Sequence, residues 1–270
     1  MIETVGADPA PLAIRLLGRV DIRIVGRPVA LGGRHAQALI ALLALEPRKR
    51  TREAIALDLW PDSGSASTAS LRQALWMVRA GFVAADVAPE SVLDIEPESI
   101  GLRRPDQLDL DVRRFEGALA GQAPDLAAAV ELYAGELAES LGHECFAAER
   151  ERLAIRYEDA LARLAAVRLQ VGDLVGARDA AVRLIGRDPL REEAHAVLLE
   201  VYGATGSRSQ VFGHYRRLED VLRRELDVEP LPETTAAFRR ALATAVDRSA
   251  RRVAEAVFAN PPPGGLAAAN

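Results

Sequence analysis

Residues 67–82 combine side chains that can contact a nucleic acid with the spacing of an amphipathic helix. The polar members of this stretch are Arg72, Gln73, Trp76 and Arg79. At about 100° per residue they lie opposite or beside the apolar stripe of Leu71, Leu75 and Val78. Arginine suits phosphate or the guanine edge, and glutamine suits the adenine edge. The stretch therefore predicts a helix whose exposed face could bind DNA.

Two further groups of residues have chemistry suited to phosphate. Basic side chains cluster where the preceding helix is predicted to start: Arg48, Lys49, Arg50 and Arg52. Ser67 and Thr68 stand at the beginning of the first stretch, where hydroxyls and free backbone N–H groups can hold an anion. For each residue, solvated helix surface is the alternative interpretation. For Trp76, packing against the sheet or the helical part of the chain is favoured over contact with a base.

The elements expected around these residues form a recognisable order. Alternating apolar residues predict strands at 13–17, 20–24 and 29–31; helical spacing predicts helices at 36–45, 51–60 and 67–82; a hairpin is predicted at 92–102. Thr51 is the expected N-cap of the second helix, and Pro61 ends it. Short strands, three helices and a hairpin are typical of a winged helix-turn-helix domain of the α+β class.

The hairpin is the main argument against DNA binding. A wing usually presents basic groups to the DNA backbone, whereas the tip of this hairpin carries Glu96 and Glu98. Arg103 and Arg104, just beyond the second strand, compensate in part. Residues 1–80 nevertheless hold 11 basic and 7 acidic side chains, so the attraction to phosphate must come from this segment.

From about Asp109 onward the sequence predicts helices only. Breaks are expected at Gly121 to Pro124, Gly142, Gly172, Asp188 with Pro189, Gly206, and Glu229 to Pro232. A shift of 34 residues aligns Gly172 with Gly206 and Leu184 with Leu218. This is the tetratricopeptide period, and the alternative is a plain helical bundle with accidental glycine spacing.

Composition narrows the classes of function. The single cysteine and four histidines give no metal cage, and the chain has no glycine-rich phosphate loop or nucleophile motif. No enzyme activity, cofactor or metal is therefore expected, and His143 near Cys145 is interpreted as structural. No apolar run reaches the roughly 18 residues of a membrane span, and no signal peptide is evident. The protein is expected in the cytoplasm.

The helical part resembles the bacterial transcriptional activator domain family, the architecture of the Streptomyces antibiotic regulatory proteins. The resemblance rests on short runs in the family's order and spacing: Glu149 to Leu153, Gly172 with Asp173, Asp188 to Glu192, Tyr215 to Leu218, and Glu225 to Pro230. The N-terminal part is similar to the winged helix of that family, through Leu16 to Gly18, Leu42 to Leu45, Leu57 to Pro61, and Leu71 to Arg79. Together they cover about residues 13–241.

The resemblance implies DNA binding, usually as a dimer on direct repeats, with the helical domain contacting its copy or RNA polymerase. It places Arg72, Gln73, Trp76 and Arg79 on the reading helix. This chain departs from the family at Met77 and Ala80, where a basic residue is common, and at Leu102, where an aromatic residue is common.

We expect three segments: a winged-helix DNA-binding domain at 13–106, an all-helical tetratricopeptide-like domain at 109–244, and a partly disordered tail at 245–270. Two hypotheses follow. The first is a transcriptional regulator, expected to be an activator, that binds double-stranded DNA. The second is a protein-interaction module whose winged helix has lost DNA affinity. Affinity that falls steeply with salt would distinguish the first from the second.

Overall fold

The computed structural model describes residues 12–259. The chain divides into two compact units, Met1–Tyr157 and Glu158–Asn270. The domain limits expected from the sequence, 13–106 and 109–244, stay a prediction, because the division into units follows internal contacts and not family boundaries.

A four-stranded sheet opens the first unit. Its strands are β1 (Leu12–Arg15), β2 (Asp21–Ile24), β3 (Arg27–Pro28) and, from later in the chain, β7 (Asp109–Leu110). Their order is β3-β2-β1-β7, with β1 antiparallel to β2 and parallel to β7. In the β1–β2 pair Ile14 lies opposite Ile22, and both are buried.

The third strand differs from its prediction at 29–31. The backbone turns at Val25 and Gly26, which both have positive φ, and this two-residue turn brings Arg27 directly opposite Ile24. Paired left-handed residues are typical of tight hairpin turns. Because the chain reverses so early, the strand is already complete at Pro28.

The three predicted helices of this unit are present, and a short fourth one follows. They are α1 (Arg34–Leu45), α2 (Arg52–Leu59), α3 (Ser67–Ala84) and α4 (Pro89–Val92). Thr51 caps α2 as predicted, since its hydroxyl accepts the Ala54 N–H at 3.2 Å. A 3₁₀ turn, Pro61–Ala66, joins α2 to α3, with Gly64 in a left-handed conformation.

The predicted hairpin is also present, and it has an additional strand. It consists of β5 (Leu93–Ile95) and β6 (Ser99–Leu102), and β4 (Arg50–Thr51) pairs with the free edge of β6. A side chain on Gly101 would meet the backbone of Lys49 at 3.2 Å. Glycine at position 101 therefore allows β4 to approach the wing closely.

The first unit continues past the wing into further helices. These are α5 (Asp111–Ala118), α6 (Leu126–Leu132) and the start of α7 (Ala147–Gln170), with 3₁₀ turns at Pro105–Gln107 and Glu144–Phe146. The strand β7 corrects the expectation that strands end before Asp109. Buried Asp111 accepts the N–H groups of Leu16 and Leu17 at 2.9 Å. This carboxylate therefore joins α5 to the end of β1.

The second unit contains the helical repeat. After α7 come α8 (Leu174–Arg187), α9 (Glu192–Ala204), α10 (Arg208–Leu226) and α11 (Pro232–Ala259). Gly172 and Gly206 have φ of +80° and +79°, and α8 and α10 each begin two residues later. Leu184 and Leu218, which the 34-residue shift aligns, are both fully buried. The repeat seen in the sequence is therefore a repeat of structure.

The predicted tail is only partly described. Residues 245–259 continue α11, and Pro261 to Gly265 lie outside the described residues.

Candidate nucleic-acid interface

Helix α3 presents one buried and one exposed face. Its buried face packs Leu71, Ala74, Leu75, Val78 and Phe82 into the core of the first unit. The four residues predicted to contact DNA are all exposed: Arg72, Gln73, Trp76 and Arg79. The structure thus brings these four onto a single face, as the helical periodicity indicated.

The interpretation that Trp76 packs against another part of the chain is wrong. Its side chain is 69% exposed, which is unusual for an indole. The next turn of the helix adds Val83, which is 61% exposed. The exposed face of α3 therefore combines cationic, amide and aromatic groups, a mixture that suits both the backbone and the bases of DNA.

The N-terminus of α3 is accessible to an anion. In the described part of the chain, no side chain caps it, and its first turn holds no acidic residue. Thr68 is exposed, whereas the Ser67 hydroxyl already donates to the Gly64 carbonyl at 2.7 Å. The Ser67 N–H also donates to the Gly64 carbonyl, so of the two hydroxyls that of Thr68 is better placed for phosphate.

An acidic residue holds Arg79. Its guanidinium lies 2.7 Å from the carboxylate of Glu90, which belongs to the first turn of α4. Because both side chains are exposed, the ion pair is weak, and another anion such as phosphate can replace Glu90 as the partner of Arg79. Sequence reasoning missed this partner because α4 is a single short turn with no helical periodicity to reveal it.

The predicted cluster of basic residues before α2 is engaged within the wing. Lys49 lies 2.7 Å from Asp94 on β5 and 2.5 Å from Glu96 at the tip. Hydrogen bonds to these two carboxylates raise the pKa of Lys49, and the bond from Lys49 lowers the pKa of Glu96. Lys49 therefore offsets only one of these two negative charges, and the objection that an acidic tip would repel phosphate still holds.

Two more members of the cluster also have partners. Arg50 pairs with Asp58 of α2 at 2.6 Å, and Arg52 donates to the backbone carbonyl of Glu96 at 3.2 Å. These bonds fix β4 and α2 to the hairpin. Arg50 and Arg52 are positioned by the pairing of β4 with β6. A strand of only two residues shows no alternation of apolar and polar residues, so β4 could not be predicted from the sequence.

Three arginines of the predicted site have neither an ion pair nor a side-chain hydrogen bond within the described residues: Arg48, Arg72 and Arg103. All three are exposed. Arg48 precedes β4, Arg72 lies on α3, and Arg103 follows β6. Arg104 follows with a left-handed backbone, φ +53°. The exposed and uncompensated positive charge is therefore spread over the reading helix and both ends of the wing sheet.

The residues near Cys145 do not form a nucleophilic site. Burial raises the pKa of the Cys145 thiol to about 11, so the reactive thiolate is suppressed at neutral pH. His143 packs edge-on against His35 and Phe146. Within residues 12–259, no group of three potential metal ligands comes together.

Comparison with known proteins connects this geometry to a family. Residues 109–242 match the family model described as "Bacterial transcriptional activator domain". The chain carries a bacterial transcriptional activator domain. The resemblance read from Glu149 to Pro230 is thereby confirmed. In the structure this domain begins at β7, continues through α5 to α10 and ends in α11.

One solved structure extends the likeness to the N-terminal part of the chain. Mycobacterium tuberculosis EmbR, in a complex with a low-affinity phosphopeptide, superposes with a TM-score of 0.68 and is 24% identical. The match covers 93% of this chain and 71% of that one. At this identity it establishes the fold, and it confirms the predicted class: a winged helix followed by a tetratricopeptide-like helical domain. No curated protein matches the sequence.

The helices were also compared with the requirements of a lipid bilayer. Within the described residues, none combines the length and the apolar composition that a membrane span requires.

Proposed function

We propose that this protein is a transcriptional regulator that binds double-stranded DNA with α3 in the major groove. The observation that carries the proposal is the exposed face of α3, on which Arg72, Gln73, Trp76 and Arg79 lie together. In this arrangement Arg72 and Gln73 read base edges, and Arg79 contacts phosphate after releasing Glu90. Trp76 packs against a sugar or a thymine methyl group.

Phosphate contacts at the flanks would set the register of the helix. Thr68 at the N-terminus of α3 binds one phosphate, and Arg48 and Arg103 bind others. Lys49, Arg50, Arg52, Ser67 and Arg104 support these contacts by shaping the wing and the turn before α3. We further propose that the protein activates transcription, as the activator domain suggests, and that it acts on chromosomal DNA in the cytoplasm.

Fluorescence anisotropy with labelled fragments of the gene's own upstream region tests this proposal. We expect saturable binding at low salt and a fall in affinity with a logarithmic slope of about one per phosphate contact. Arg72→Ala should weaken binding by about 1–3 kcal/mol. Arg216→Ala removes an equally exposed arginine from α10 in the second unit and should change nothing. A folded protein that binds no fragment at low salt would refute the proposal.

A second proposal concerns the partner of the helical domain, which we infer is another copy of this chain. Exposed valines support it: Val175 and Val182 lie seven residues apart on α8 and are 64% and 51% exposed, and Val171 precedes them at 74%. Apolar side chains on one helix face are typical of a protein contact. RNA polymerase is the other partner that the family suggests.

Light scattering after size-exclusion chromatography tests self-association. Val175→Glu should convert a dimer to a monomer, since burial of an unpaired carboxylate disfavours the contact. Val246→Glu makes the same change at an exposed position on α11 and should leave the mass unchanged. A monomeric native protein at about 100 µM would reject self-association and leave polymerase as the partner to test.

A further inference from the structure

The first unit contains a cavity that has no part in the proposed contacts of α3. Its volume is about 740 Å³, within the range of sites that hold small organic ligands. It lies among the β2–β3 turn, the residues that follow α3, helix α4 and the segment after β6. We call it the turn cavity and define it by Ile24, Val29, Val92, Leu102 and Leu108, five buried apolar side chains that contribute to its lining.

Charge in the lining of the turn cavity is predominantly positive. Arg27, Arg103 and Arg104 contribute to the wall, against a single acidic residue, Asp86. Arg27 and Arg103 are both exposed, so their guanidinium groups can reach a ligand at the opening without first leaving a buried position. An apolar floor below arginines matches a ligand with an apolar body and one anionic group.

Backbone conformation around the turn cavity is an independent observation. Five non-glycine residues of the described chain have left-handed φ, and three of them line this cavity: Val25, Asp86 and Arg104. Their φ values are +49°, +59° and +53°. The conformation is costly for a β-branched residue such as Val25. Strain of this kind persists where the surrounding structure enforces it, and it clusters at ligand sites.

We propose that the turn cavity is a binding site for a small amphipathic anion, an aromatic or medium-chain aliphatic carboxylate or sulfonate. The apolar body lies on Ile24, Val92 and Leu102, and the anionic group accepts hydrogen bonds from Arg27 and Arg103. Arg103 is shared with the proposed phosphate contacts, but none of the residues that line the turn cavity belongs to α3, so binding of a small anion is tested without DNA.

Fluorescence titration with 8-anilinonaphthalene-1-sulfonate, an aromatic sulfonate, tests the proposal on the full chain. We expect one saturable site per chain. Arg27→Ala and Arg103→Ala should each raise the Kd about tenfold, the effect of losing one charge-assisted hydrogen bond. Arg19→Ala removes an exposed arginine of the same unit that does not line the cavity and should leave the Kd unchanged. Near-ultraviolet circular dichroism verifies that each variant is folded.

A neutral probe separates charge recognition from simple apolar adsorption. N-phenyl-1-naphthylamine keeps the aromatic body and lacks the sulfonate, so it should bind about tenfold more weakly. Its Kd should be the same for the native protein and for both arginine variants. Ala88→Trp, at the exposed rim, should fill the opening and abolish binding of the sulfonate without unfolding the protein.

Three results would overturn the proposal. The first is the absence of saturable sulfonate binding by the folded protein. The second is equal binding of both probes, or Kd values that the arginine variants do not change. The third is a rise in Kd for Arg19→Ala as large as that for Arg27→Ala or Arg103→Ala.

Discussion

The guanidinium of Arg79 on the exposed side of α3 is held 2.7 Å from the carboxylate of Glu90 on α4. The proposed reading helix therefore carries a cation that is already partly neutralised in the free protein. DNA binding at this position is an exchange of one anion for another, and the affinity depends on how easily Glu90 is displaced.

Removal of this competitor should strengthen DNA binding. We expect Glu90→Gln to raise affinity about threefold to tenfold at low salt and to steepen the salt dependence by about one unit of slope, because Arg79 then binds phosphate without releasing a carboxylate. Anisotropy titrations at several salt concentrations measure both effects. Glu53→Gln makes the same change in net charge at an exposed position of α2 and is the control. An equal gain of DNA affinity in Glu53→Gln would contradict this explanation. So would a gain of affinity when Glu90→Gln is added to an Arg79→Ala variant.

The buried carboxylate of Asp111 should contribute strongly to the stability of the first unit. It accepts the buried N–H groups of Leu16 and Leu17, and Asp111→Ala would leave both without a partner at a cost of about 2–5 kcal/mol. Both tryptophans, Trp60 and Trp76, belong to this unit, so tryptophan fluorescence during urea unfolding reports on it selectively.

The control for Asp111 is the neighbouring ion pair. Asp109 contacts Arg15 at 2.6 Å, and both side chains are about one-third exposed. Asp109→Asn should therefore cost less than about 1 kcal/mol. A similar loss of stability in both variants would show that the backbone bonds of Asp111 are not the source of its effect.

A pair of buried histidines should make the second unit sensitive to acid. His195 Nε2 lies 3.0 Å from the Pro189 carbonyl, so this nitrogen carries the proton; Nδ1 then accepts from His214 Nε2 at 3.0 Å. His195 must be neutral for its Nδ1 to accept this bond, and the burial of both rings opposes a charge on either of them. Burial, with help from His195 and Arg217, lowers the pKa of His214 to about 4.

The sign of the pH effect follows from that shift. A histidine whose pKa is lower in the folded state leaves stability intact above its unfolded value of about 6.5 and reduces it as the pH falls toward 4, here by about 3 kcal/mol. Hydrogen exchange measured by mass spectrometry resolves the second unit and should show weaker protection at pH 4.5 than at pH 7. His214→Gln keeps a donor to His195 without titrating at that position, and its protection should vary less over this range. Equal pH dependence in both proteins would exclude His214 as the cause.

Close approach of α9 and α11 should make Gly203 intolerant of any side chain. A Cβ at this position would lie 2.6 Å from the carbonyl oxygen of Ala241, so Gly203→Ala must push the helices apart at a cost of about 1–3 kcal/mol. Gly186 on α8 has open space around its Cβ position, and Gly186→Ala should stabilise by up to about 1 kcal/mol through helix propensity. Thermal unfolding monitored at 222 nm should show shifts of opposite sign. A Tm that rises in both variants would disprove the crowding at Gly203.

Elements with a long periodic pattern were predictable from the sequence, and those that depend on distant partners were not. Helix α3 shows its apolar stripe through Leu71, Leu75 and Val78, and the glycines 34 residues apart mark the repeat. Strands β4 and β7 have two residues each, too few to show alternation, and they exist because β6 and β1 offer an edge. The third strand lies earlier than predicted, because the two-residue turn at Val25 and Gly26 reverses the chain directly after β2.

Within the candidate site, residue types and faces were predictable and charge pairing was not. The exposed set on α3 follows from 100° periodicity alone. The partners of Arg79 and Lys49 come from α4 and β5, so only the folded chain reveals that Glu90 and Asp94 compensate them. The exposure of Trp76 was also missed, because an aromatic residue beside an apolar stripe is normally buried.

The hydrogen bonds of Asp111 bear on how such regulators can be reassembled over evolution. The carboxylate that completes the opening sheet of the DNA-facing unit lies inside the segment matched by the activator-domain family, 109–242. A recombination event that exchanged the winged helix at the family boundary would separate β1 from β7 and from Asp111. A functional crossover must therefore carry the codons through Asp111 together with those for the reading helix, and chimeric regulators designed in the laboratory are subject to the same limit.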